Sequence, residues 1–133
     1  MRLTHLADYA VVMMTAAARR GGSVRVSAAE LAQDTGVPLP TAQKLMGQLA
    51  SAGLLNSVRG AGGGFMLARP VNEISLADIV EAVEGPIVMT MCADGVNHEC
   101  LLDAHCRVKP HMGIVGNAVR GALGSVSLRE LAQ

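Results

Sequence analysis

Apolar residues recur at helical spacing along most of the chain. Leu6, Ala10, Met13, Met14 and Ala17 form one stripe that Gly21-Gly22 closes, which predicts a first helix from about Thr4 to Arg20. Asp8 falls off that stripe, one turn from His5, on a face turned to water or to a partner. Ser27 and Glu30 have capping-box spacing, and Val26 and Leu31 can form a hydrophobic staple around them, so a second helix starts there. It ends near Thr35, because Gly36 accepts the left-handed conformation and Val37-Pro38 cannot continue a helix. Pro40 suits the first position of a third helix, whose inward stripe is Ala42, Leu45, Met46 and Leu49 and which Gly53 ends. Its outward face carries Thr41, Lys44 and Gln48, with Gln43 beside them.

The period then changes. Residues 54–59 and 65–69 read as two short strands joined by the run Gly60-Ala61-Gly62-Gly63-Gly64. Ser75 and Asp78, with Ile74 and Ile79 as staple, open a fourth helix that Gly85-Pro86 stops. From about Pro110 to Leu123 the helical pattern returns, with Ile114, Ala118 and Ala122 at four-residue steps. Gly113, Gly116 and Gly121 weaken it, each by about 1 kcal/mol relative to Ala. Such a helix needs a surface to pack on, and a second copy of itself is the simplest one. Ser127 is placed to cap a last short turn.

A length of 133 residues suits one packed unit. With only 2% aromatic residues and an Ala-rich apolar complement, helices should dominate. The zero net charge hides an asymmetry. Residues 1–70 hold seven cations, Arg2, Arg19, Arg20, Arg25, Lys44, Arg59 and Arg69, against Asp8, Glu30 and Asp34, a net +4 that leaves −4 for the remainder. A basic first half suits a polyanion. No run of 18 apolar residues exists and the start lacks a signal-peptide pattern, so the expected location is the cytoplasm, with no membrane contact.

Two helices joined by a turn, the second with a polar outer face, followed by strand, loop and strand with arginine, give the order of a winged helix-turn-helix. The expected fold is mainly α with a small β wing: a winged helix-turn-helix DNA-binding region over 1–70, then a helix, a cysteine-rich loop and a long dimerisation helix over 71–133. Thr41, Gln43 and Lys44 are placed to reach base edges in the major groove of double-stranded DNA, and Gln48 to reach the backbone. Arg59 suits a narrow minor groove, and Gly62 and Gly63 let the loop backbone approach phosphates. A generic helical bundle with a solvated polar face carries the same local pattern. A phosphate-binding enzyme does not, since no Lys-Ser or Lys-Thr follows the glycine run and Phe65 stands where a dinucleotide fingerprint needs its third glycine.

Cys92, Cys100 and Cys106 lie within one 15-residue stretch, with intervals of seven and five residues, among Asp94, His98, Glu99, Asp103 and His105. Three thiolates suit iron-sulfur or zinc chemistry, and either normally needs a fourth ligand. Asp8, His5, His98, His105, His111 or a partner molecule are the available donors.

Met1-Arg2-Leu3-Thr4, the wing Ser57-Val58-Arg59-Gly60-Ala61-Gly62-Gly63-Gly64-Phe65, the stretch from Ile74 to Gly85 and the cysteine trio together resemble the IscR and NsrR type of bacterial regulators. Cys100-Leu101-Leu102-Asp103-Ala104-His105-Cys106 is most similar to the Suf-type branch, which regulates iron-sulfur cluster assembly. The resemblance covers almost the whole chain. It implies a homodimeric repressor built on the helix at about 110–123, with a 2Fe-2S or 4Fe-4S cluster held by Cys92, Cys100 and Cys106. In the histidine-ligated branch the fourth ligand lies three residues after the third cysteine, where this chain has Lys109, whose ammonium cannot ligate. The acid-ligated branch uses a residue of the partner's first helix, and Asp8 matches it, although the first cysteine interval is longer here. A nitric-oxide or redox sensor of the same architecture and a cluster carrier that does not bind DNA are the competing readings. An enzyme is not expected, since no catalytic constellation is present.

Overall fold

In the computed structural model, which describes residues 1–90 and 100–133, helix α1 spans His5–Arg19 and is capped by the Thr4 hydroxyl, which accepts the Ala7 N–H at 3.2 Å. The same hydroxyl donates to the Glu84 carboxylate at the far end of the fourth helix. Ala10, Met13, Met14 and Ala17 of the predicted α1 stripe are buried as their spacing demands, whereas Leu6 is only half-buried and the fully buried place at that end belongs to Ala7.

Helix α2 spans Ala28–Thr35 and ends on Gly36, whose φ of 83° is one that residues with a Cβ rarely adopt. Its start departs from the expected capping box. The Ser27 hydroxyl accepts the Glu30 N–H, but the Glu30 carboxylate takes the Ser27 hydroxyl and the Arg20 guanidinium in place of the Ser27 N–H. A full positive charge at 2.8 Å outcompetes a backbone dipole. Helix α3 spans Leu39–Ser51, so Pro40 occupies its second position rather than its first. Ala42, Leu45, Met46 and Leu49 are its buried face, as the sequence predicts.

Arg20 also grips Asp34 with two hydrogen bonds, 2.6 and 3.0 Å long, tying α1 to α2. This guanidinium holds the Asp34 carboxyl below the ordinary carboxylate range. A depressed acid contributes stability above its unfolded pKa of about 4, and that contribution is lost as pH falls through the lower folded value. Asp34→Asn is therefore expected to lower the thermal midpoint at neutral pH, with the gap to the parent protein closing below about pH 4 in a melting series.

Strands β1 (Leu55–Val58) and β2 (Gly64–Leu67) pair antiparallel, Leu55 opposite Leu67 and Val58 opposite Gly64, somewhat shorter than predicted. Val26 bridges to the other side of β2: its N–H reaches the Phe65 carbonyl at 2.9 Å and its carbonyl receives the Phe65 N–H at 2.8 Å. Helix α4 (Leu76–Glu84) begins with a complete capping box between Ser75 and Asp78. Helix α5 is Met112–Gly124, preceded by a 3-10 turn at Lys109–His111, and α6 (Leu128–Leu131) is capped by Ser127.

One core joins helices α1–α4, the two strands and α6. Leu31, Leu45, Leu49, Ile74, Ile79 and Leu128 are all fully buried within it. Leu128 arrives there because the chain returns antiparallel to residues 74–76: the Leu76 N–H reaches the Val126 carbonyl at 2.8 Å and the Leu128 N–H reaches the Ile74 carbonyl at 2.7 Å.

Helix α5 presents its apolar residues on two sides. Ile114, Val115, Ala118 and Ala122 are exposed, while Gly116 is buried and Met112, Val119 and Leu123 are half-buried. The predicted stripe of Ile114, Ala118 and Ala122 is thus not the one that packs within the chain. Gly116 lies where residues 87–88 cross the helix, and a Cβ there would stand 3.4 Å from the Ile87 carbonyl oxygen. On the adjoining side Arg120 pairs with Glu81 at 2.7 Å and approaches Asp78 at 3.9 Å, fixing α5 to α4. Among the described residues, no helix is long and apolar enough to cross a membrane.

Candidate nucleic-acid interface and cysteine segment

Helices α2 and α3 meet at the Gly36 turn, and the buried stripe of α3 leaves its opposite side in solvent. Gln43 and Lys44 are exposed there, and Thr41 is half-buried. Gln48 is turned differently: it is half-buried and its amide oxygen is enclosed without a hydrogen-bond partner. No side chain caps α3, so its amino end keeps bare N–H groups and the positive end of the helix dipole.

The wing follows α3 directly. Arg59 is exposed at the end of β1, and the loop folds back through a Gly63 N–H to Gly60 carbonyl bond of 2.8 Å. Gly62 has a φ of 74° and is exposed. Gly63 is the tightest point: a Cβ would meet the Val58 carbonyl oxygen at 2.5 Å and that of Gly60 at 2.8 Å. The glycines are thus required by the turn itself, before any ligand is considered.

This surface carries cations without acid partners. Two of the three acids in residues 1–70, Glu30 and Asp34, are both engaged by Arg20. Among the described residues, Lys44 on α3, Arg59 on the wing and Arg25 beside it have no carboxylate partner within ion-pairing distance, whereas Arg69 and Arg120 converge on the acids of α4. Sequence reasoning counted Arg25 only as charge. Its signal was present in the alternation Val24-Arg25-Val26 before the Ser27 cap, which reads as a short strand able to join the wing.

Of the predicted cluster ligands, Cys92 lies outside the described residues, as does His98. Cys100 is exposed and Cys106 half-buried; both are free thiols outside the hydrophobic core. His105 lies between them, exposed, in a 3-10 turn at Asp103–His105. Among the described residues no three His, Cys, Asp or Glu side chains converge into a metal-holding group. The two thiols nevertheless fit a soft metal centre in kind, being accessible sulfur donors committed neither to packing nor to a disulfide. Asp8 is exposed on α1 beside the exposed His5 and Val12, without a polar partner among the described residues.

Comparison with known proteins agrees with this arrangement. Residues 3–133 match the family model described as Rrf2, iron-dependent transcriptional regulator. The HTH-type transcriptional regulator IscR of Photorhabdus laumondii is 31% identical over 131 residues, covering 98% of this chain and 79% of the relative. Among solved structures, CymR, the global cysteine regulator of B. subtilis, superposes with a TM-score of 0.74 at 26% identity, covering 99% of this chain and 96% of that one. IscR of T. potens does so with a TM-score of 0.71 at 27% identity, covering 98% and 85%.

Proposed function

Because the chain belongs to the Rrf2 family of transcriptional regulators, we propose that it binds operator DNA as a homodimer, represses iron-sulfur cluster assembly genes, and adjusts its DNA affinity through an iron-sulfur cluster. The observation that carries the DNA part is the set of unpaired cations on the helix-turn-helix and wing: Arg20 is shared between the two acids of α2, while Arg25, Lys44 and Arg59 have no carboxylate partner among the described residues and supply the positive field that DNA meets. Thr41, Gln43 and Lys44 then read base edges from the amino half of α3, and Arg59 enters the minor groove from the wing. Gln48, with its oxygen turned inward, supports α3 and offers only its amide nitrogen to the backbone. Gly62 and Gly63 keep the loop low enough for its N–H groups to approach phosphates.

The second copy packs on the exposed side of α5, where Ile114, Val115, Ala118 and Ala122 stand in solvent in one chain. Cys92, Cys100 and Cys106 would hold the cluster, with the partner subunit's Asp8 as fourth donor. When bound, such a cluster supplies a labile cross-link among these donors. The chain's own residues transmit its presence. The segments on either side of the cysteine loop both lead to α5, at Gly116 through residues 87–88 and at Met112 through the 3-10 turn. Arg120 and the half-buried side of α5 pass any displacement to α4, which shares its core with α1 and α3. Loaded and empty dimers then differ in how their two recognition helices are spaced, the differential contact a switch requires.

The test uses a duplex selected from a random pool by the protein. Arg59→Ala is expected to weaken binding to it about tenfold to a hundredfold, and the parent protein's affinity to fall steeply with salt. Failure to select a sequence, or affinity indifferent to salt, would overturn the reading.

A further inference from the structure

We propose that Arg25 braces the wing and presents its remaining N–H groups to a backbone phosphate of the operator, a role that rests on the DNA-binding reading above. Residues 60–64 contain four glycines and one alanine, the composition that loses most conformational freedom when ordered. A loop of this kind presents Arg59 reproducibly only if something outside the hairpin fixes it. The Gly60–Gly63 turn is internal and leaves the carbonyl of Gly62 pointing outward.

Arg25 supplies the external contact. Its Nη1 donates to the Gly62 carbonyl at 2.7 Å across 37 residues of sequence, and among the described residues no other side chain hydrogen-bonds residues 60–64. Its backbone is itself held against the wing, because Val26, the next residue, exchanges both backbone hydrogen bonds with Phe65. The brace therefore has a fixed base and a fixed tip. A guanidinium carries five N–H donors in a planar fork, of which one is used on Gly62. Arg25 is exposed, has no carboxylate within ion-pairing distance among the described residues, and stands beside a loop whose neighbour Arg59 is also exposed and is read above as entering the minor groove. A phosphate oxygen is the acceptor that such a fork, placed at the edge of a groove-reading wing, would meet.

The experiment compares Arg25→Ala, Arg25→Lys and Arg59→Ala. It reads backbone amide exchange of residues 60–64 in the free protein and the salt dependence of binding to the selected duplex. Arg25→Ala is expected to speed loop exchange, lower affinity about tenfold and make the plot of log affinity against log salt shallower by about 0.9. Arg25→Lys, which keeps the charge, is expected to restore the slope. A merely structural brace would leave the slope alone. If Arg25→Ala leaves both loop exchange and slope unchanged while Arg59→Ala still weakens binding, the role of Arg25 is wrong and the DNA reading stands. If neither arginine matters to binding, the wing assignment fails with it.

Discussion

Gly63→Ala is expected to lower operator affinity by about two orders of magnitude, roughly 3 kcal/mol, with little change in thermal stability. A Cβ at this position would stand 2.5 Å from the Val58 carbonyl oxygen and 2.8 Å from that of Gly60, both backbone atoms that cannot swing aside. The turn must reopen, and in doing so it breaks the Gly63 to Gly60 hydrogen bond and moves Gly62 away from Arg25. Arg59 is displaced along with the loop backbone, so the loss is at least that of Arg59→Ala alone. Because the loop is largely exposed and lies outside the core, the melting midpoint should shift by only a few degrees. Adding Arg59→Ala to Gly63→Ala should cost little more, the non-additivity expected when the first change already removes the second contact. Binding assays on the two single variants and the double variant check this.

On the proposed ligand set, Cys106→Ala is expected to abolish cluster binding altogether. Cys106 is half-buried and outside the core, so the protein should fold and dimerise, which a melting curve and a mass measurement by light scattering report. Anaerobically purified parent protein is expected to show visible charge-transfer bands and bound iron and sulfide, and the variant neither, since two thiolates and a carboxylate hold such a cluster poorly. Its operator affinity should equal that of the cluster-free parent. A variant that retained the bands would remove Cys106 from the ligand set.

Much of this was legible along the chain because the signals are local. Ser27, Ser75 and Ser127 cap helices with hydrogen bonds to groups three residues on, and Gly36 ends α2 by a conformation that only its own backbone must adopt. The buried stripe of α3 follows from spacing alone, and with it the exposure of Gln43 and Lys44. What the pattern hid is long-range. Glu30 leaves its capping role for Arg20, ten residues upstream, and Arg25 reaches a loop 37 residues away. Leu128 enters the core through a pairing with residues 74–76 that no periodicity announces. In α5, small and apolar residues occur on both sides, so spacing could not say which stripe packs within the chain and which awaits a partner.

On the proposed function, DNA affinity follows cluster occupancy. The direct measurement is binding of the anaerobic, cluster-loaded protein to its selected duplex, titrated beside the same preparation after the cluster has been removed by a chelator. Visible bands and sulfide are expected in the first sample, with a clear difference in affinity between the two. A colourless protein, or one whose loaded and empty forms bind the duplex equally, would contradict the proposal and leave a winged-helix regulator whose signal enters elsewhere.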